Sequence, residues 1–199
     1  MKRAMDVLLS SAALVVLAPA MAVIALLIKL DSPGPALFVQ TRVGKGNKPF
    51  GMFKFRTMTV NAEAELASLM AQNEREGPAF KMRNDPRVTR IGKHLRRFAL
   101  DELPQFANAF LGSMSLVGPR PPTPNEVNEY LPWHLLRLDV VPGITCTWQI
   151  SKRNQSFDEW VAMDLAYISN QSILYDLYLV FKTLKVFLYG HPDYEPESK

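Results

Sequence analysis

The sequence holds a single cysteine, Cys146, so no disulfide can form within the chain, and a reducing environment suits it. It has only three histidines, His94, His134 and His191, with no spacing that builds a zinc site. Internal repeats and low-complexity tracts are also absent, which excludes a solenoid or a disordered tail as the organising principle. Charge of one sign does not dominate: 23 Lys and Arg against 19 Asp and Glu leave +4. That balance points to anionic partners such as phosphates, nucleic acid or lipid headgroups, without choosing among them. With 199 residues, 48% of them hydrophobic, the chain has room for one domain with a buried core. Proline, by contrast, is plentiful. Its 15 copies fall mostly at segment edges, including Pro33, Pro35, Pro86, Pro104, Pro119, Pro121, Pro122 and Pro142, and read as rigid punctuation.

Val7 to Ile28, VLLSSAALVVLAPAMAVIALLI, is an uncharged run of about the 20 residues that a membrane helix needs. Three readings compete for it: a single span, a cleaved signal peptide, and a helix that enters the bilayer, breaks and returns. Met1-Lys2-Arg3 and Ala20-Met21-Ala22 resemble a signal start and cleavage site, but the chain stays apolar to Ile28. Pro19, near the centre, removes a backbone donor and predicts a kink. Lys2 and Arg3 before the run and Lys29 after it suit two ends facing the cytoplasm. Of these the re-entrant form is favoured, giving a membrane helix at 1–30 broken at Pro19, one domain at 31–190, and a tail at 191–199.

Downstream, Asp31 to Pro35 is a turn, and Ala36–Gln40 and Phe50–Phe55 read as strands of a small hairpin around Gly44-Lys45-Gly46-Asn47. Ala62–Arg75 is expected to be a helical surface arm. From Val88, Ile91, Leu95 and Phe98 mark one face of a helix, with Arg90, Lys93, His94 and Arg97 on another. Leu103, Phe106, Ala107, Phe110 and Leu111 predict a second helix ended by Gly112, with Asp101 as its N-cap and Pro104 in its first turn. Ser172–Tyr189, interrupted by Asp176, Lys182 and Lys185, and the segment Pro132–Leu136 read as interfacial helices or, equally, as plain core helices. The fold class is therefore α+β: a mostly helical, membrane-associated domain with amphipathic interfacial helices and a small β-hairpin.

The chemistry gathers at Asp101-Glu102, set between the basic run Arg87 to Arg97 and Val117-Gly118-Pro119-Arg120-Pro121-Pro122. A carboxylate at a helix start beside guanidinium groups is favoured in its charged form. Facing phosphate, it can attack phosphorus, bind the magnesium that neutralises phosphate oxygens, or do both. The Asp-Glu-Leu-Pro string alone reads equally well as a helix cap. Arg120 shifts the balance, because flanking prolines nearly fix its backbone and lower the entropy cost of holding a phosphate.

Six ordered motifs then carry a resemblance: Leu30–Pro35, Gln40–Gly44, Phe53–Met58, Leu100–Gln105, Met114–Pro121 and Pro142–Thr145. From about Lys2 to Tyr189 the chain resembles the bacterial sugar transferases, the monotopic phosphoglycosyl transferases that begin bacterial polysaccharide or glycoconjugate assembly. The resemblance implies a nucleotide sugar donor, usually a UDP-sugar, an acceptor such as undecaprenyl or another polyprenyl phosphate, and the products UMP and a polyprenyl diphosphate sugar. It implies that Asp101 attacks the sugar-bearing phosphate and forms a covalent intermediate with Mg2+ beside it. Glu102 matches the second acid of the dyad, Arg120 the phosphate-binding arginine, and Arg96 and Lys54 basic residues of the site. It also implies a place on the cytoplasmic face of the bacterial inner membrane, no nucleic-acid partner, and leaves homo-oligomerisation open. Ala18 before Pro19, Val141, Cys146 and Lys152 depart from the usual pattern. Cys146 reads as a packed small residue, not a nucleophile. Gly77-Pro78-Ala79-Phe80-Lys81 looks more like the longer or exopolysaccharide-type members. Two other readings fit parts of the chain: a membrane-anchored nucleic-acid binder using Lys81, Arg83, Arg87, Arg90, Lys93, Arg96 and Arg97, and a silent scaffold for glycan assembly.

Overall fold

The computed structural model of the chain describes residues 1–73, 82, 84–150 and 156–189. The expectations attached to Gly77–Lys81, Arg83, Lys152, the last residues of the Ala62–Arg75 helix and the 191–199 tail lie outside those residues.

The apolar run folds into one helix, α1 (Lys2–Asp31). It is long and apolar enough to cross a membrane, yet only 11% of its most hydrophobic window is buried in the protein. Pro19 lies inside α1 without ending it, so the break predicted there is not an interruption of the helix. A proline removes one i→i−4 bond, and the turns on either side carry the helix on.

Both ends of α1 are fastened to the same body. At the start, Lys2 Nζ lies 2.6 Å from Asp176 Oδ2 and donates to the Val117 carbonyl at 2.9 Å. Arg3 donates to the carbonyls of Ala109 and Phe110, each at 2.6 Å. Asp6 Oδ1 accepts from Ser115 Oγ and from Leu116 N, each at 3.0 Å. At the far end Ile24 and Ile28 are buried with Ala36, Phe55, Leu95 and Leu103, and Asp31 accepts from Ile91 N at 3.1 Å. The first 30 residues thus share the core of the following domain.

Strands β1 (Leu37–Val43) and β2 (Pro49–Phe55) form the predicted antiparallel hairpin, Leu37 opposite Phe55 and Val43 opposite Pro49. Short helix α2 (Ala62–Leu69) follows, and then the basic helix α3 (Arg90–Arg97), capped by Thr89 Oγ1, which accepts from Gly92 N at 3.0 Å. Helix α4 (Gln105–Leu111) ends, as its sequence predicts, at Gly112 in the left-handed region, φ +94°. Beyond it lie α5 (Pro124–Asn128), a 3-10 run Pro132–Asp139, α6 (Phe157–Ser169) and α7 (Ile173–Tyr189).

One element has no counterpart in the sequence reading. Strands β3 (Ser115–Val117) and β4 (Gly143–Thr145) pair in parallel, Ser115 opposite Gly143 and Val117 opposite Thr145. Their backbones approach so closely that a Cβ on Gly143 would sit 2.0 Å from Gly118 N. Behind them Ala109, Leu116, Val117, Tyr167 and Leu179 form a second buried cluster. Helix α7 buries Asp176 and Leu179 but exposes Leu174, Leu177, Tyr178, Phe181 and Leu184. The 3-10 run likewise buries His134, Arg137 and Leu138 while exposing Leu135 and Leu136. Each has one packed face and one bare apolar face, so neither is a plain core helix.

Candidate active site

Asp101 does not cap α4. It sits in a single 3-10 turn, Leu100–Glu102, entered through Ala99 in the left-handed region at φ +53°. Leu103 N donates to the Leu100 carbonyl at 3.3 Å, and Pro104 takes the cap position. The bonds through this stretch are of the i→i−3 kind, with Glu102 N on Ala99 O and Phe106 N on Leu103 O, each at 3.1 Å, so the α-helical ladder starts only after Pro104. A non-glycine residue held left-handed is mildly strained, and here it turns the dyad inward.

The Asp101 carboxyl is buried, and among the described residues no other residue gives it a hydrogen bond. Burial pushes it above the ordinary carboxylate range, Lys54 pulls it back, and the Glu102 charge pushes it further up. The expectation that a helix terminus and nearby cations would favour the anion is thereby corrected: desolvation outweighs them. Burial also holds the Lys54 ammonium below its usual value, against the pull of Glu102 and Asp101.

Lys54 Nζ donates to Glu102 Oε1 at 3.1 Å, and Arg120 Nη1 lies 3.9 Å from the same oxygen. Lys54, Glu102 and Arg120 share a small cleft with Met52, Gln105, Pro121, Gly143 and Ile144. Arg96 reaches the site from α3, where its Nε donates to Thr57 Oγ1 at 2.9 Å and its charge acts on Asp101. The predicted residues Asp101, Glu102, Lys54, Arg96 and Arg120 are therefore brought together by four separate parts of the fold. Pro19 is elsewhere, on the exposed stretch of α1.

Lys54 is aimed by a residue the sequence reading missed. Asn108 of α4 accepts from Phe53 N at 2.8 Å and donates to the Gly51 carbonyl at 2.7 Å, pairing with β2 as another strand would. Nothing in the sequence marks Asn108 beyond its place in a predicted helix.

The segment carrying Arg120 is poor in donors because its prolines lack N–H, but each of its carbonyls is satisfied. Pro119 O accepts from Gly143 N at 2.9 Å and Pro122 O from Val43 N at 2.9 Å. Arg120 O accepts from Arg137 Nη2 at 3.3 Å and Pro121 O from Arg42 Nη1 at 2.9 Å. Two buried arginines thus hold the backbone just after the Arg120 side chain, and Gly143 holds it just before. Burial lowers the Arg42 guanidinium to about 10, and the Arg120 charge adds to that effect. Arg137 also pairs with Asp164, whose carboxyl burial pushes up to about 6 against the pull of that arginine. Arg42 lies in the Gln40–Gly44 motif, whereas Arg137 and Asp164 carry no sequence signal.

Cys146 is buried with its thiol pushed up by burial, as expected of a packed residue rather than a nucleophile. Among the described residues no group of three or more His, Cys, Asp or Glu converges on a metal position. Asp101 and Glu102 do supply adjacent carboxylates, which suits magnesium, an ion commonly held by one or two carboxylates with phosphate oxygens and water.

The model of the bacterial sugar transferase family matches residues 1–190. The galactosyl transferase CpsE of Streptococcus agalactiae is 48% identical over 159 residues, covering 79% of this chain and 35% of that protein. The UDP-glucose:undecaprenyl-phosphate glucose-1-phosphate transferase of Escherichia coli is 39% identical over 193 residues, 92% of this chain and 39% of that protein. The exopolysaccharide production protein ExoY of Sinorhizobium fredii is 39% identical over 188 residues, 92% of this chain and 83% of that protein. The chain thus spans well under half the length of the first two relatives and most of the third.

Proposed function

Given that the chain belongs to the bacterial sugar transferase family, we propose that it moves a sugar phosphate from a UDP-sugar to a polyprenyl phosphate, the first membrane step of polysaccharide or glycoconjugate assembly. The observation that carries this reading is Asp101: a buried carboxyl without a hydrogen bond from any other described residue, beside Lys54 and a cleft over which Arg120 stands.

In the first half-reaction an Asp101 carboxylate oxygen attacks the sugar-bearing phosphorus. A P–Oδ bond forms, the bond from that phosphorus to the bridging oxygen breaks, and UMP leaves with the electron pair. In the second, a phosphate oxygen of the polyprenyl phosphate attacks the aspartyl phosphorus, and the carboxylate departs as polyprenyl diphosphate sugar forms. Lys54 and Arg120 bind the oxygens on which charge gathers, Arg96 adds positive potential, and Glu102 holds Lys54 in place. A desolvated carboxylate is poorly stabilised by its surroundings, which suits a nucleophile. Magnesium, held by Asp101 with Glu102 beside it, would supply neutralising charge to the phosphate oxygens.

Two features of α1 support a re-entrant anchor, which the proposed reaction places on the cytoplasmic face of the inner membrane, where nucleotide sugars are met. Its middle is apolar and exposed, and both ends dock on one body. A through-span would place those ends on opposite sides of the bilayer. The bare apolar faces of α7 and of the Pro132–Asp139 run support an interfacial seat for the same domain. A site at that surface serves a lipid whose tail stays in the membrane and a nucleotide sugar that arrives from water.

The test uses purified protein, magnesium and radiolabelled UDP-sugars without a lipid acceptor. One equivalent of UMP is expected for each active protein, with label trapped on Asp101. Release that requires the lipid acceptor, or label elsewhere, would sink the covalent mechanism. Screening several UDP-sugars in the same assay identifies the donor.

A further inference from the structure

Gln105 begins α4 and is 3% exposed, and its side chain lines the cleft that holds Lys54, Glu102 and Arg120. Among the described residues its carboxamide has no hydrogen-bond partner. The carboxamide atoms are not shut off from solvent although the residue as a whole is buried, so they open onto the cleft, where a bound ligand can pair with them. The cleft's other polar groups are charged, and Lys54 is already engaged by Glu102. Gln105 adds a neutral, planar donor whose direction is set by the first turn of a helix.

We propose that Gln105 is a substrate-contacting residue whose Nε2 donates to a non-bridging oxygen of the phosphoryl group being transferred. The inference rests on the reading of Asp101 as nucleophile. Asp101 and Gln105 lie on one continuous turn into α4, so the group that binds the phosphoryl oxygen moves with the group that attacks phosphorus. The same phosphoryl group occupies the cleft in both half-reactions. Gln105 therefore acts on UMP release and on transfer to lipid alike, unlike a residue that touches only the nucleotide.

Gln105→Leu keeps the approximate volume and removes both hydrogen-bonding edges. It is expected to slow UMP release and the discharge of trapped phosphosugar to undecaprenyl phosphate by similar factors, about 10- to 100-fold each, with the thermal midpoint unchanged. Gln105→Glu replaces the donor edge with a negative charge near Glu102 and is expected to be slower still. Parent-like rates in Q105L, or a loss confined to UMP release, overturn the proposal. A Glu variant faster than the Leu variant does so too, because it assigns the carboxamide as an acceptor. If Q105L does not fold, Gln105→Met makes the same deletion with a more adaptable side chain. A parent protein that releases no UMP overturns the proposed function itself, and is distinguished by being seen before any variant is made.

Discussion

Lys54 Nζ lies 3.1 Å from Glu102 Oε1, and its charge acts on the neighbouring Asp101 as well, so one buried cation serves two acids. Asp101 attacks only when ionised, and burial raises its pKa, so activity should rise with pH through a limb above the ordinary carboxylate range. Lys54→Met removes the largest influence lowering that pKa and should move the limb to higher pH, with a loss of about 100-fold in kcat. Glu102→Gln removes a raising influence and should move it lower. Profiles of kcat/KM against pH for the three proteins check both signs; limbs that move together reject the arrangement.

Asp164→Asn replaces the titrating carboxyl that pairs with buried Arg137 by a neutral amide, and should abolish the pH dependence which that group gives to stability. Folded Asp164 titrates at about 6, above its unfolded value, so the native state holds that proton more tightly. Its contribution to stability is therefore greatest below the unfolded pKa and is lost as pH rises toward about 6. Urea unfolding in detergent across this range should show that decline in the parent and its loss in the variant. The KM for the donor should also rise, since Arg137 holds the Arg120 carbonyl.

Gly143→Ala should separate β3 from β4, because the added carbon would lie 2.0 Å from Gly118 N. The bond from Gly143 N to Pro119 O goes with it, and the misplaced Arg120 segment should cost about 100-fold in activity. Gly46→Ala is the contrast: nothing lies within 4 Å, so only backbone strain at φ +67° is added, on the order of 1 kcal/mol. Thermal midpoints and UMP release measured on both variants separate close approach from strain; equal losses would refute the distinction.

Asp176→Asn should cost about 1.5–3 kcal/mol by weakening the charged contact that pins Lys2. Faster hydrogen exchange confined to the first turns of α1, with the Ile24 and Ile28 end still protected, is the expected signature. Exchange that accelerates equally at both ends would show that α1 is held as a single unit instead.

Local physics is what made much of this protein legible. The uncharged run forms one helix long and apolar enough to cross a membrane, the stretches around Gly44–Asn47 pair as a hairpin, and Gly112 ends its helix because it tolerates a positive φ. The candidate site residues Asp101, Arg120 and Lys54 also stand in motifs that the sequence shows, and the fold brings them together. Asp101 is not the helix cap that the pattern predicts, because the chain there closes i→i−3 bonds in a 3-10 turn entered through left-handed Ala99.

By itself, then, the sequence determined which segments are helix and hairpin, which run is long and apolar enough to cross a membrane, and which acids and bases stand in the motifs, because propensity, hydropathy and motif order act over a few residues at a time. Only the tertiary structure decided that both ends of α1 meet one body, that β3 and β4 close beneath Arg120, and that burial raises Asp101 where its neighbours alone would lower it. Those outcomes depend on contacts between residues far apart in the chain and on how far each group is withdrawn from water. Neither quantity is carried by any local stretch of sequence.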